Sequence, residues 1–175
     1  VGETIIDQYI FGDVLGKSGK EPHLVLNEGV KENYLGGAAA VANHLSTFCK
    51  KIDFFTLAGT EKDKLNFIKK SIQKNIKIKF FKKKNSTTII KKRFIDRVSK
   101  NKLLGVYSIN EEKLPKSLEL NFSKYIKKHA LFCDLILVSD YGHGFISDRV
   151  AKIFSSSKKF FSLNDQINAS NRGYH

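Results

Sequence analysis

The chain has 175 residues, 41% of them hydrophobic, with 31 Lys and Arg against 17 Asp and Glu and a formal net charge of +14. Those values suit one globular domain or part of a larger one. No apolar run approaches the ~20 residues of a membrane span, and "VGETIIDQYIFGD" has no basic region followed by a small-residue cleavage site, so a soluble, cytoplasmic protein without a membrane partner is expected.

In chain order, Ile5 to Phe11 is apolar and β-prone, "GDVLGKSGKE" is turn-rich, and Pro22 to Leu35 alternates as one or two short strands. Gly37 to Phe48 reads as a helix with small and apolar residues on most faces, hence largely buried. Ile52 to Gly59 is a buried strand ending in glycine, Lys62 to Lys74 an amphipathic helix, and Ile76 to Phe81, Thr87 to Ile95 and Lys102 to Ile109 are further strands. Glu111 to His129 has helical spacing broken near Pro115. Asp134 to Asp140 has the continuous apolar run of a central parallel strand, and Asp148 to Ser156 is a helix leading into "KFFSLN". Alternating strands and helices predict a parallel α/β sheet. The β segments at about 5–35 and 87–109 break that alternation and are expected in a small separate sheet. No repeat and no linker divides residues 1–175.

Cys49 and Cys133 lie far apart in apolar settings, which predicts reduced core thiols and not a disulfide or metal pair. The charge invites a nucleic-acid reading. The lysines, however, spread along the whole chain beside abundant Ile, Asn and Phe, as a background composition would place them. The densest cluster, Phe80 to Phe94, alternates like strands joined by a polar turn. It is read as solvated strand faces around a local anion site, with no nucleic-acid partner.

Gly16-Lys17-Ser18 looks like the end of a phosphate-cradling loop, but the glycine needed five residues earlier is Phe11, and Pro22 stands where the helix should run, so an exposed turn is expected. Gly36 and Gly37 open the first helix. Glycines there let a ligand approach N–H groups that lack intrahelical partners, or else they and Ala38 to Ala40 are small for close helix–sheet packing. "SDYGHG" (Ser139 to Gly144) puts Asp140 at the carboxyl end of a parallel strand, the edge where open α/β sheets bind ligands. An ordinary turn capped by Asp140 fits equally, with His143 exposed. Asp7, a lone acid in "GETIIDQY", is either a turn residue or an acceptor for ligand hydroxyls.

Taken in order, "GETIIDQY", "YLGGAAAVANHL", "LAGTEKD", "TTIIKKRFIDRVSKNKLLGVY" and "ILVSDYGHG" resemble the N-terminal half of the PfkB (ribokinase-like) carbohydrate kinases. Within that family the pattern is most similar to the heptose-7-phosphate kinases of ADP-heptose synthesis, including those fused to a nucleotidyltransferase. The resemblance covers nearly the whole chain. It implies a ribokinase-like parallel sheet sandwiched by helices, with a small β lid, in a chain truncated at both ends. It further implies that Asp7 hydrogen-bonds sugar hydroxyls, that Gly36 and Gly37 line the sugar pocket, that Lys91 and Arg93 bind a sugar phosphate, the guanidinium bidentately, and that Asp140 lies near the phosphoryl-transfer region. The lid would close over the sugar and pair two subunits as a homodimer.

The implied reaction is transfer of the ATP γ-phosphoryl group, with Mg²⁺, to a sugar hydroxyl, chemistry in which positioning and electrostatics dominate. The sequence departs from the family twice. Ala40 stands where many heptose kinases have asparagine, removing one polar sugar contact. The G-A-G-D turn that carries the family's catalytic aspartate is missing, so the resemblance puts that base beyond His175, assigns no catalytic or metal-binding residue here, and implies that these 175 residues alone are inactive. Two other classes fit less of the pattern: a non-catalytic sugar-phosphate binding or dimerisation module, and a basic nucleic-acid binder.

Overall fold

One long strand organises the molecule, whose computed structural model describes residues 1–110 and 112–166. β1 (Gly2–Lys17) begins in a parallel sheet, where Gly2 pairs with Thr56 of β3 (Ile52–Ala58) and with Ser139 of β7 (Leu135–Asp140). β4 (Ile76–Lys82) extends that sheet beyond β3, and β8 (Phe160–Asp165) extends it beyond β7, giving the order β4-β3-β1-β7-β8 with every pair parallel. From Ile5 onward β1 runs instead through a second, smaller sheet. There it pairs antiparallel with β2 (Leu24–Gly36) and parallel with β5 (Ile89–Asp96), and β6 (Lys102–Ser108) lies antiparallel on β5.

The core sheet is covered on both faces, which explains its continuous apolar runs. Phe54 packs against Ala38, Ala39 and Ala42 of α1 (Gly37–Leu45). Its neighbour Phe55 points the other way, toward Phe122 and Ile126 of α3 (Lys116–Ala130) and Val150 and Phe154 of α4 (Asp148–Ser155). Phe81, Phe122 and Phe145 are fully buried in that second layer, each contributing about 1.5–3 kcal/mol through burial. α2 (Lys62–Ser71) brings Ile68 against Ile6 and Ile90, so it supports the root of the small sheet from behind.

Where β1 passes from one sheet to the other, its ladder with β3 stops at Glu3 and Leu57. The next N–H, that of Thr4, would be buried without a partner, and the Thr56 hydroxyl accepts it at 2.9 Å. The two threonine hydroxyls also hydrogen-bond each other at 2.8 Å.

Several sequence expectations need correction. "GDVLGK" is strand: Gly12 and Gly16 sit at register shifts in the β1–β2 ladder, so these glycines mark bulges and not a turn. Within Pro22 to Leu35 the alternation gives a single strand, β2, one of the two outcomes it allowed, but the small sheet is not separate, because β1 belongs to both layers. The first helix ends at Leu45, where Ser46 and Thr47 hydroxyls donate to the Asn43 and His44 carbonyls; Phe48 is 87% exposed. The second helix ends at Ser71, and the third begins at Lys116 directly after Pro115, while Glu111 lies outside the described residues, as do residues 167–175. The two cysteines are half-exposed, not core, and line one apolar groove of about 570 Å³ beside α1 and the starts of β3 and β7. His143 is buried.

Candidate functional site

Asp7, Lys91 and Arg93 meet on one face of the small sheet because of register. Asp7 lies beside Lys91, Tyr9 beside Arg93, and Lys91 beside Tyr107 across β1, β5 and β6. Alternation along each strand then turns Asp7, Tyr9, Lys91, Arg93 and Tyr107 to the same side. An Arg93 Nη1–H donates to Asp7 Oδ1, forming an ion pair whose side chains are only 20% and 23% exposed. The guanidinium lies over the Tyr9 ring at 5.5 Å and the Tyr107 ring at 5.9 Å, and Lys91 Nζ lies 5.8 Å from the Tyr107 centroid.

These contacts set the charges. Burial disfavours the Lys91 ammonium and Arg93 adds repulsion, so its pKa is lowered although Asp7 pulls the other way. Burial also works against the Arg93 charge, but the hydrogen bond and charge of Asp7 more than offset it, and its pKa is raised.

The two glycines have distinct geometric duties. A Cβ on Gly36 would overlap Asp7 Oδ2, so glycine is what leaves room for the second carboxylate oxygen. Gly37, the first residue of α1, has φ +59°, and a Cβ there would lie 2.5 Å from the Glu3 carbonyl oxygen. Ala38, Ala39 and Ala42 behind them are buried against the sheet, and Ala40 is half-buried. The packing alternative is present at Gly37, Ala38, Ala39 and Ala42, while Gly36 makes room for the Asp7 carboxylate, a duty the spacing did not suggest.

Asp140 enters from the other layer, at the carboxyl end of β7, and is 2% exposed. Its Oδ1 accepts the Gly142 N–H at 2.9 Å, the capping turn that the sequence allowed, and Gly142 and Gly144 take φ values of 74° and 81°. The rest of this turn is held by a residue that sequence reasoning missed. Glu3, fully buried, accepts the Tyr141 N–H on Oε2 at 3.0 Å and the Phe145 N–H on Oε1 at 3.2 Å. Burial, with the Asp140 charge adding to it, pushes the Glu3 pKa up to about 7. The available signal was an acid inside a strand that otherwise reads as buried. Its partners come from 138 and more residues away and leave no local trace.

Side chains from the core also fasten the base of the small sheet. Thr88, just before β5, takes the Gly59 N–H on its hydroxyl at 3.1 Å and gives its own N–H to Glu61. Lys83, 3% exposed, donates to Asn110 Oδ1 and to the Glu112 carbonyl at 2.6 Å each, just beyond β6. Gly16, Lys17 and Ser18 form a strand end and turn.

The arrangement is thus a half-buried carboxylate with one oxygen held by arginine and the other over a glycine, two cations beside it, and a clamped glycine turn at the carboxyl edge of the parallel sheet. Sequence and structure comparison places the chain beside known proteins. The chain is 30% identical over 158 residues to the bifunctional protein HldE of Aliarcobacter butzleri, covering 87% of this chain and 32% of the relative. It is 24% identical over 157 residues to the D-beta-D-heptose 7-phosphate kinase of Bordetella bronchiseptica, covering 90% and 49%. In structure it matches a possible 1-phosphofructokinase of Thermotoga maritima (TM-score 0.65, 15% identity, 92% of this chain and 51% of that one). It also matches the phosphofructokinase-2 of Escherichia coli in complex with fructose-6-phosphate (TM-score 0.59, 13% identity, 92% and 51%).

The chain has the ribokinase-like α/β fold, and in sequence it is similar to the bifunctional HldE protein and the heptose 7-phosphate kinase named above. It spans about a third to a half of the length of these relatives. No family model matches it. Within the ribokinase-like fold, the small sheet accounts for the β segments that broke the strand–helix alternation, and the carboxyl edge of the core sheet is where Asp140 and its turn lie.

Proposed function

We propose that this chain is the sugar-binding and lid-bearing part of an ATP-dependent sugar kinase whose acceptor is a sugar phosphate, with heptose 7-phosphate as the substrate. The observation that carries this reading is the Asp7 carboxylate, with Oδ1 held by Arg93 and Oδ2 in the space left by the missing Cβ of Gly36. Such an acceptor is oriented before a sugar hydroxyl arrives. Lys91 and Arg93 supply positive charge on the same face, Gly36 and Gly37 form the wall beside the hydroxyls, and the Asp140 turn borders the region of phosphoryl transfer. The names of the relatives above support heptose 7-phosphate.

In this reading the small sheet is the lid over the sugar. A second copy pairs through it, which is consistent with the exposure of Leu104 and Val106 on β6. Among the described residues, no three His, Cys, Asp or Glu side chains converge as a cation site. ATP and Mg²⁺ therefore enter only as donor and counter-ion, and no step is assigned to them on these residues.

The test is production of ADP from Mg-ATP and heptose 7-phosphate by the full-length protein, beside its Asp7→Ala variant. Turnover lost in the variant supports the proposal. No turnover by the wild type, or tight and salt-sensitive capture of random duplex DNA, would replace it with a binding function.

A further inference from the structure

The two oxygens of Asp7 face different strands. Oδ1 turns to Arg93 on β5, whereas a Cβ built on Gly36 of β2 would overlap Oδ2. A hydroxyl that donates to Oδ2 therefore enters on the β2 side of the sheet. The side chain that stands there is Tyr34. It lies directly across from Asp7 in the β1–β2 ladder, so both leave the same face, with Cβ atoms about 4.5–5.5 Å apart. Gly36, two residues further along β2, shares that face and adds no side chain over it. Two contacts fix the Tyr34 ring. Its hydroxyl donates to Glu32 Oε2 at 2.6 Å, and it meets the Tyr9 ring in a T-shaped pair with centroids 5.8 Å apart and planes at 71°. Even so, Tyr34 is 52% exposed. A ring held at two points and still half in water, beside a carboxylate, is a prepared surface for a ligand.

We infer that the Tyr34 ring is the stacking surface for the substrate's sugar ring, meeting its C–H face while Asp7 takes its hydroxyls. This rests on the sugar-kinase reading above and goes beyond it, because it gives a ligand contact to an aromatic residue that has no role there. The chemistry suits a cyclic sugar. Its hydroxyls project from the rim of the ring, and the C–H bonds of one face form an apolar, weakly positive patch. The face of a tyrosine ring is apolar and negative, so the two surfaces attract, while the phenol oxygen keeps a polar partner, here Glu32. Such a contact reads the sugar ring and not its phosphate. It also disfavours an acceptor with a hydroxyl on the stacked face, where that group would be desolvated without a partner.

The inference is tested on the full-length protein by calorimetric titration with heptose 7-phosphate and with the same heptose lacking phosphate. Tyr34→Ala should weaken both by the same factor, about three- to tenfold, the usual worth of an aromatic contact. Tyr34→Phe keeps the ring and should stay within about twofold of wild type for both sugars. Wild-type affinity in Tyr34→Ala, or a loss confined to the phosphorylated sugar, would overturn the inference. A second arm reads proximity directly. Residues 1–175 contain no tryptophan, so the indole emission that Tyr34→Trp adds over wild type should change saturably with either sugar. Emission unmoved by sugar would sink the proposal, and emission that follows protein concentration instead would assign the ring to a contact between copies. Wild-type protein that binds neither sugar would remove the sugar-kinase reading on which the inference rests.

Discussion

Glu3 and Asp7 stand four residues apart on β1, and strand alternation turns both side chains the same way. Glu3 lies in the parallel core sheet, Asp7 in the small sheet. In the core, both faces are covered, no Lys or Arg among the described residues lies within ion-pair distance of Glu3, and its oxygens are met by two backbone N–H groups; burial raises its pKa to about 7. In the small sheet one face is open, and Asp7 meets an arginine contributed by the neighbouring strand. The same functional group is thus a structural clamp in one layer and an oriented acceptor in the other. The layer decides, through solvation and the register of the adjacent strand.

The largest effect is expected at the junction of the two sheets. Gly37→Ala forces a non-glycine residue to φ +59° and sets a methyl against the Glu3 carbonyl. The left-handed strain alone costs about 1–3 kcal/mol, so the urea midpoint should fall by at least that equivalent. An unchanged midpoint would mean that the two layers are less tightly joined than the geometry shows.

Next come changes that strike one layer only. Asp7→Ala should cost on the order of 1–3 kcal/mol of sugar binding, the usual loss when a hydroxyl partner is removed, while hydrogen exchange in the core strands stays as in the wild type. Gly36→Ala should mimic it, because the added methyl occupies the place of Asp7 Oδ2. Full sugar affinity in Gly36→Ala would show that this oxygen is not the acceptor.

Glu3 gives a pH signature that Asp7 variants should lack. Its folded pKa is raised from 4.5 to about 7, so between those values the folded state holds a proton that the unfolded state releases. Its contribution is therefore favourable below about pH 4.5 and is lost as pH rises to about 7. Glu3→Gln, which keeps the shape and removes the titration, should flatten this part of the stability–pH profile, measured by thermal unfolding across the window. It should also speed exchange of the Tyr141 and Phe145 amides, since one carboxylate acceptor is lost. A profile identical to wild type would remove Glu3 from the clamp.

The smallest effect belongs to the outer end of the small sheet, where Arg97 grips Asp13 by two hydrogen bonds with both side chains largely in solvent. Arg97→Ala should shift stability by no more than about 0.5 kcal/mol and less in high salt. A larger loss would show that the outer end of the sheet is as tightly organised as its base.

Much of the chain order was legible because burial writes a period into sequence. The runs at Ile52–Ala58 and Leu135–Asp140 are apolar on both faces, and α2 shows one apolar stripe, so core strands and helices stand out locally. The bulges at Gly12 and Gly16 misled because a glycine at a bulge and a glycine in a turn look alike until the partner strand is known. Helix ends were misplaced for a related reason: Ser46 and Thr47 end α1 through hydroxyls that could equally have faced solvent.

The sequence by itself determined the identity of the strands and helices, the glycine pair that opens α1, and the acids and bases available to the site, because these depend on residues within a few positions of one another. Only the tertiary structure decided which of those groups meet. It ran β1 through both sheets, set Arg93 onto Asp7 across 86 positions, and carried the Tyr141 and Phe145 amides to Glu3. Side chains so far apart in sequence meet only through strand register and sheet order, which are fixed when apolar faces from the whole chain are buried together.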